Sequence, residues 1–133
     1  MDLTKNCYSL PEPSTSSYSG VRLCFPGGVL KILFDYDKDG CLYNSGLVFN
    51  KVRAHRHTAE SHCPAWKIEA AYDTLVEINN SEWTKEILAS TVKDEKLTWQ
   101  LNHYLIYFDG DGCYEIVSES WEALPEKEGS LSC

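Results

Sequence analysis

Residues 103–118, HYLIYFDGDGCYEIVS, constrain the fold more than any other stretch, because two runs rich in aromatic and branched residues are joined by Asp109-Gly110-Asp111-Gly112. Asp and Gly tolerate the backbone angles of a tight turn, so the stretch predicts a β-hairpin. Its first arm sets Leu105 and Tyr107 on one face and Tyr104, Ile106 and Phe108 on the other. With neither face polar, that arm belongs inside a sheet.

A second strand pattern precedes it. In Val29 to Tyr36, Leu30, Ile32, Phe34 and Tyr36 share one face while Lys31 and Asp35 share the other, the mark of a half-buried strand. Asp37-Lys38-Asp39-Gly40 then turns the chain into Cys41-Leu42-Tyr43. Both turns follow Phe-Asp and end in Asp-Gly-Cys, a likeness that a duplicated hairpin or shared turn chemistry explains equally well. Val21 to Phe25 reads as a short strand closed by Pro26-Gly27-Gly28, and Leu47 to His57 as one long alternating segment. Residues 66–71 suit a strand or a helical turn, whereas Tyr72 to Ile78 has strand composition. Ser81 is placed to cap a helix over 82–90, with Glu82 in its first turn and Trp83 and Ile87 four apart. Residues 91–96 read as a polar connection, 97–101 as the onset of a strand, and 118–124 as a short strand end or turn. The polar, Pro- and Ser-rich start predicts a flexible N-terminal arm over 1–20 on a single domain of 1–133. The expected class is α+β: a mainly antiparallel sheet of about five to seven strands with one short helix packed on one face.

A chain of 133 residues with 43% hydrophobic residues, four Trp and eight Tyr can bury a core and is not a disordered chain. No apolar run reaches the ~20 residues that a membrane helix needs, and the start lacks the pattern of a secretory signal. The expectation is a cytoplasmic protein with no membrane contact. The six cysteines form no C-x-x-C pair, so reduced thiols fit better than a disulfide framework, a zinc ribbon or a redox motif. A net charge of −8 repels phosphate backbones and attracts basic proteins, which argues for a basic protein partner and against nucleic acid.

Three groups of residues invite chemistry. Asp35, Asp37 and Asp39 before Gly40 open like a calcium-binding EF-hand loop, but Gly46 stands where the bidentate Glu belongs and the flanks are strands, so a hydrated turn competes. His55 and His57 on one strand face, with His62 or Glu60 from the following loop, could share a zinc ion. In the competing reading Lys51, Arg53, His55 and His57 form a solvated stripe paired with Asp73 and Glu77, and Arg53, His55, His57, Glu60 and His62 contact a partner. A Cys63 nucleophile with His62 or His57 as base lacks any orienting motif. Neither a G-x-S-x-G elbow nor a phosphate-binding glycine loop occurs.

Val52-Arg53-Ala54-His55-Arg56-His57, Glu60-Ser61-His62-Cys63, 71–77, Ser81-Glu82-Trp83 and 103–109 together resemble a group of small uncharacterised bacterial proteins, similar in style to the immunity proteins encoded beside polymorphic toxins. The resemblance implies no catalytic motif. It implies a non-enzymatic binding protein, an immunity-type inhibitor of a toxin. The alternatives are a small metal-binding protein or metal-dependent enzyme using His55, His57 and His62, and a structural homodimer joined through an exposed strand edge.

Overall fold

The computed structural model describes residues 3–91 and 100–132. Their strands form two sheets with antiparallel ladders. The first sheet runs β1 (Thr4–Ser9), β6 (Thr74–Ile78), β7 (Asn102–Phe108), β8 (Gly112–Ser118) and β5 (Ala54–Ala59). The second runs β2 (Val21–Cys24), β3 (Leu30–Lys38), β4 (Cys41–Asn50) and β9 (Ser120–Glu128). Helices α1 (Ala65–Ala71) and α2 (Glu82–Ala89) complete the described elements. The mainly antiparallel α+β class stands, with nine strands in two sheets and two helices among the described residues instead of five to seven strands and one helix. No described helix is long and apolar enough to cross a membrane.

Both hairpins form where Asp and Gly punctuate the chain. Asp39 and Gly40 take positive φ values of 55° and 83°, the two left-handed residues that a two-residue turn between β3 and β4 needs. The predicted face of β3, Leu30, Ile32, Phe34 and Tyr36, lies in the core between the sheets, against Tyr104, Ile106 and Phe108 of β7 and Tyr114 and Ile116 of β8. Phe34 meets Phe108 with ring centroids 5.8 Å apart, and Phe49 meets Tyr104 at 5.6 Å. Burying such side chains stabilises the fold by about 1.5–3 kcal/mol each. The other face of β7 and β8 is covered too, since Leu105, Tyr107, Cys113 and Val76 pack beneath Ile68 and Ala71 of α1. That second layer is why the arm 104–108 is apolar on both sides.

Helix α1 resolves the ambiguity at 66–71. Its Ala, Lys and Glu residues favour helix, and Ile68 and Ala71, three apart, form one contact face. Helix α2 starts as expected, with the Ser81 hydroxyl accepting the Thr84 N–H at 3.1 Å.

Three expectations are corrected. Residues 47–57 are not one strand: Lys51 adopts a φ of 53°, the chain leaves β4, and β5 joins the opposite sheet. The Arg53 N–H then donates to the Val117 carbonyl, starting the new ladder. Within the 1–20 stretch expected as a flexible arm, Thr4–Ser9 pairs with β6. The Ser-rich run that follows is held by two aspartates, because Ser14 bonds Asp73 through its N–H and hydroxyl, while Ser17, Tyr18 and Ser19 donate to Asp35. Polarity that looked like solvation is donor capacity turned inward. Finally, Cys24 is disulfide-bonded, although Cys7, Cys41, Cys63 and Cys113 are free thiols, so the reduced set that supported a cytoplasmic placement is incomplete. The connection and strand onset expected around 92–99 lie outside the described residues.

Candidate functional site

The stripe singled out from sequence is spread over separate interactions. Arg53 and Lys51 each approach Glu119 at 3.7 Å. The His55 ring meets the edge of Phe25 at 5.1 Å, and the His57 ring packs on Tyr114 at 4.6 Å with Nε2 3.0 Å from the Asp111 carbonyl. Burial, and then Glu60 nearby, push the Tyr107 hydroxyl above its ordinary value, while His62 is exposed in a short 3₁₀ turn, 60–62. Asp73 and Glu77 are not its partners, since β7 and β8 stand between β6 and β5. Among the described residues no three His, Cys, Asp or Glu side chains gather as a metal site, at the stripe or at Asp35, Asp37 and Asp39. The Cys63 thiol donates to the carbonyls of Thr58 and Ala59. Its neighbour Cys113 is pushed up to about 12 by burial and the Cys63 contact, and so stays protonated.

One strand residue to the side lies a cluster that the sequence reading missed. Glu115, 1% exposed, accepts two bonds from Arg56, at 3.0 and 3.1 Å, two from Lys67, both at 3.1 Å, and one from His103 Nε2 at 2.8 Å. Burial pushes its carboxyl up, but the His103, Arg56 and Lys67 donors outweigh that and hold it far below the usual range. Arg56 also lies 4.0 Å over the Trp83 ring. On the far side of the imidazole, His103 Nδ1 is 2.7 Å from the Ser81 hydroxyl. Ser81, His103 and Glu115 thus have the connectivity of a hydrolytic triad. Their charges do not suit that work: Arg56 and Lys67 set two positive charges against the one carboxylate of Glu115, leaving no surplus negative charge to stabilise an imidazolium. Ser81 accepts the α2 capping bond as well, and since the ionised Glu115 can only accept, His103 Nε2 carries the proton shared with it. The arrangement ties α2, α1 and β5 onto the sheet. A lone Glu inside the apolar run Cys113-Tyr114-Glu115-Ile116-Val117 was its signal in the sequence.

One candidate cleft lies where the N-terminal segment crosses the ends of β3 and β7. A narrow cleft of about 40 Å³ has Leu10, Pro13, Val21, Phe34, Tyr36 and Phe108 among its apolar walls. Its charged lining is Glu12, Asp35, Asp109 and Asp111, with no Lys, Arg or His. Asp35 is 2% exposed; its Oδ1 accepts the Ser17 hydroxyl and the Tyr18 and Ser19 N–H groups at 2.9–3.0 Å. Its Oδ2 is buried without a hydrogen-bond partner. Burial raises the Asp35 carboxyl, yet the Ser19, Tyr18 and Ser17 donors leave it below its ordinary value, so the group stays charged. Asp109 accepts the Tyr72 hydroxyl at 3.1 Å and Asp111 that of Tyr114 at 2.6 Å, neutral donors that cancel no charge. Lys38, which Glu12 influences electrostatically, is paired at 3.3 Å with Glu126.

Compared with family models, curated proteins and solved structures, the chain matches none.

Proposed function

We propose that the protein is a non-enzymatic binding protein that occludes a basic protein partner, as an immunity-type inhibitor does. The observation that carries this reading is the cleft beside β3, whose lining has four carboxylates and no Lys, Arg or His, on a chain of net charge −8. Such a surface draws a basic partner at long range and rewards insertion of positive charge at short range. The Glu115 cluster supports the reading from the other side, because its carboxylate is saturated by donors within the fold.

Co-expression with the toxic product of the adjacent gene is the direct test. Growth restored by this protein is the expected result, together with a purified complex whose Kd weakens at least about tenfold between roughly 50 and 500 mM salt. Growth that is the same with and without the protein would sink the proposal.

A further inference from the structure

We infer that the depression where α1, α2 and β5 meet is a receptor for a small ligand that carries one carboxylate on a flat ring. This goes beyond the reading above, since the occupant is a small anion and the site is apart from the cleft beside β3. The depression has a volume of about 310 Å³, with Arg56, Trp66, Lys67, Ser81, Trp83 and His103 in its lining. Small-molecule sites begin at about that size. Its charge is opposite to that of the chain. Arg56 and Lys67 bring two positive charges against the one carboxylate of Glu115, so one positive charge is left over on a chain of net charge −8. Glu82, the acid in the lining among the described residues, is paired with Lys85 at 3.2 Å.

Arg56 supplies the place for that charge to be met. Its Nε and Nη2 donate to Glu115, which uses two of the five donors of a guanidinium and leaves Nη1 without a partner among the described residues. The side chain is 45% exposed, and the Trp83 ring, 4.0 Å away, fixes the guanidinium plane. A fork held in this way matches the two oxygens of a carboxylate. Trp66 lines the same depression and is 41% exposed, a large apolar face open to solvent. A flat ring stacked on it leaves the water and lies beside the fork. The size of the surplus selects the anion. A carboxylate cancels one positive charge, whereas a phosphate dianion adds a negative charge to an acidic chain. A basic occupant would be repelled by Arg56 and Lys67.

Titration of the whole protein with benzoate, phenyl phosphate, benzyl alcohol and acetate, followed by the indole N–H signals of Trp66 and Trp83 and the Nε–H signal of Arg56, tests this. Benzoate should shift these signals saturably and bind at least about tenfold more tightly than acetate, which lacks the ring, or benzyl alcohol, which lacks the charge. Phenyl phosphate, measured at about pH 8 where it is a dianion, should bind about threefold more weakly than benzoate. Arg56→Lys, which keeps a positive charge beside Glu115 and removes the fork, should weaken benzoate by about tenfold or more. Trp66→Ala, at an exposed position, should weaken it by about fivefold while the amide signals of the two sheets stay in place. No saturable response to benzoate, equal or tighter binding of any of the other three compounds, or full affinity in both variants would each overturn the inference. The titration needs no partner protein, so it reads this site independently of the co-expression test.

Discussion

Glu115 shows how much one residue can organise. It sits in the middle of a central strand with 1% of its surface exposed, and four bonds from two cations plus one from an imidazole keep it ionised there. Removing the Glu115 charge leaves the largely buried Lys67 and His103 without their acceptor, which costs about 3–5 kcal/mol. Glu115→Gln should therefore lower the urea midpoint sharply, by an amount that Glu122→Gln, on the exposed edge strand, does not approach. The sign of the acid response follows from the same bonds. A carboxyl held below its unfolded value contributes fully above that value, ordinarily 4.5 for Glu, and loses the contribution as pH falls through it toward the folded value. Urea unfolding should show stability falling as pH drops below about 4.5, with a shallower fall in Glu115→Gln. Asp35, also held low, adds to the slope in the same direction.

Among elements, α2 and the 10–20 segment depend on side chains more than on propensity. Helix α2 has eight residues, too short to persist alone, and no residue of it is buried. Its attachment runs through Ser81, which caps the helix and reaches His103, and through Trp83, whose ring meets that of His103 edge-on at 5.1 Å. Ser81→Ala should cost about 1–2 kcal/mol and raise amide exchange across 82–89 first, a result that hydrogen exchange can locate. Unchanged exchange there would mean that the cap is incidental. The Gly112 position shows the opposite dependence, on an absent side chain. With a φ of 127°, a Cβ would lie 2.1 Å from the Thr58 carbonyl, so the close pairing of β5 with β8 at that point requires glycine.

For the whole molecule, the edges of the two sheets bear on whether it self-associates. β2 has four residues, β9 carries Pro125 among Glu and Lys residues, β1 has an irregular register between Asn6 and Tyr8, and β5 presents His55, Arg56 and His57. Each of these discourages edge-to-edge pairing. Light scattering at micromolar concentration should find a monomer; a stable dimer would instead favour the homodimer alternative.

Local physics made part of this legible in the sequence. The two hairpins, the buried face of β3, the two-sided burial of β7 and the Ser81 cap follow from alternation, turn chemistry and capping, which act over a few residues. Only the tertiary structure decided that residue 51 sends the chain from one sheet to the other, that Arg56 and Lys67 converge on Glu115, and that the Ser-rich start folds over Asp35 and Asp73. Those contacts join residues 16 to 59 positions apart, and their free energy comes from partners that no local pattern names.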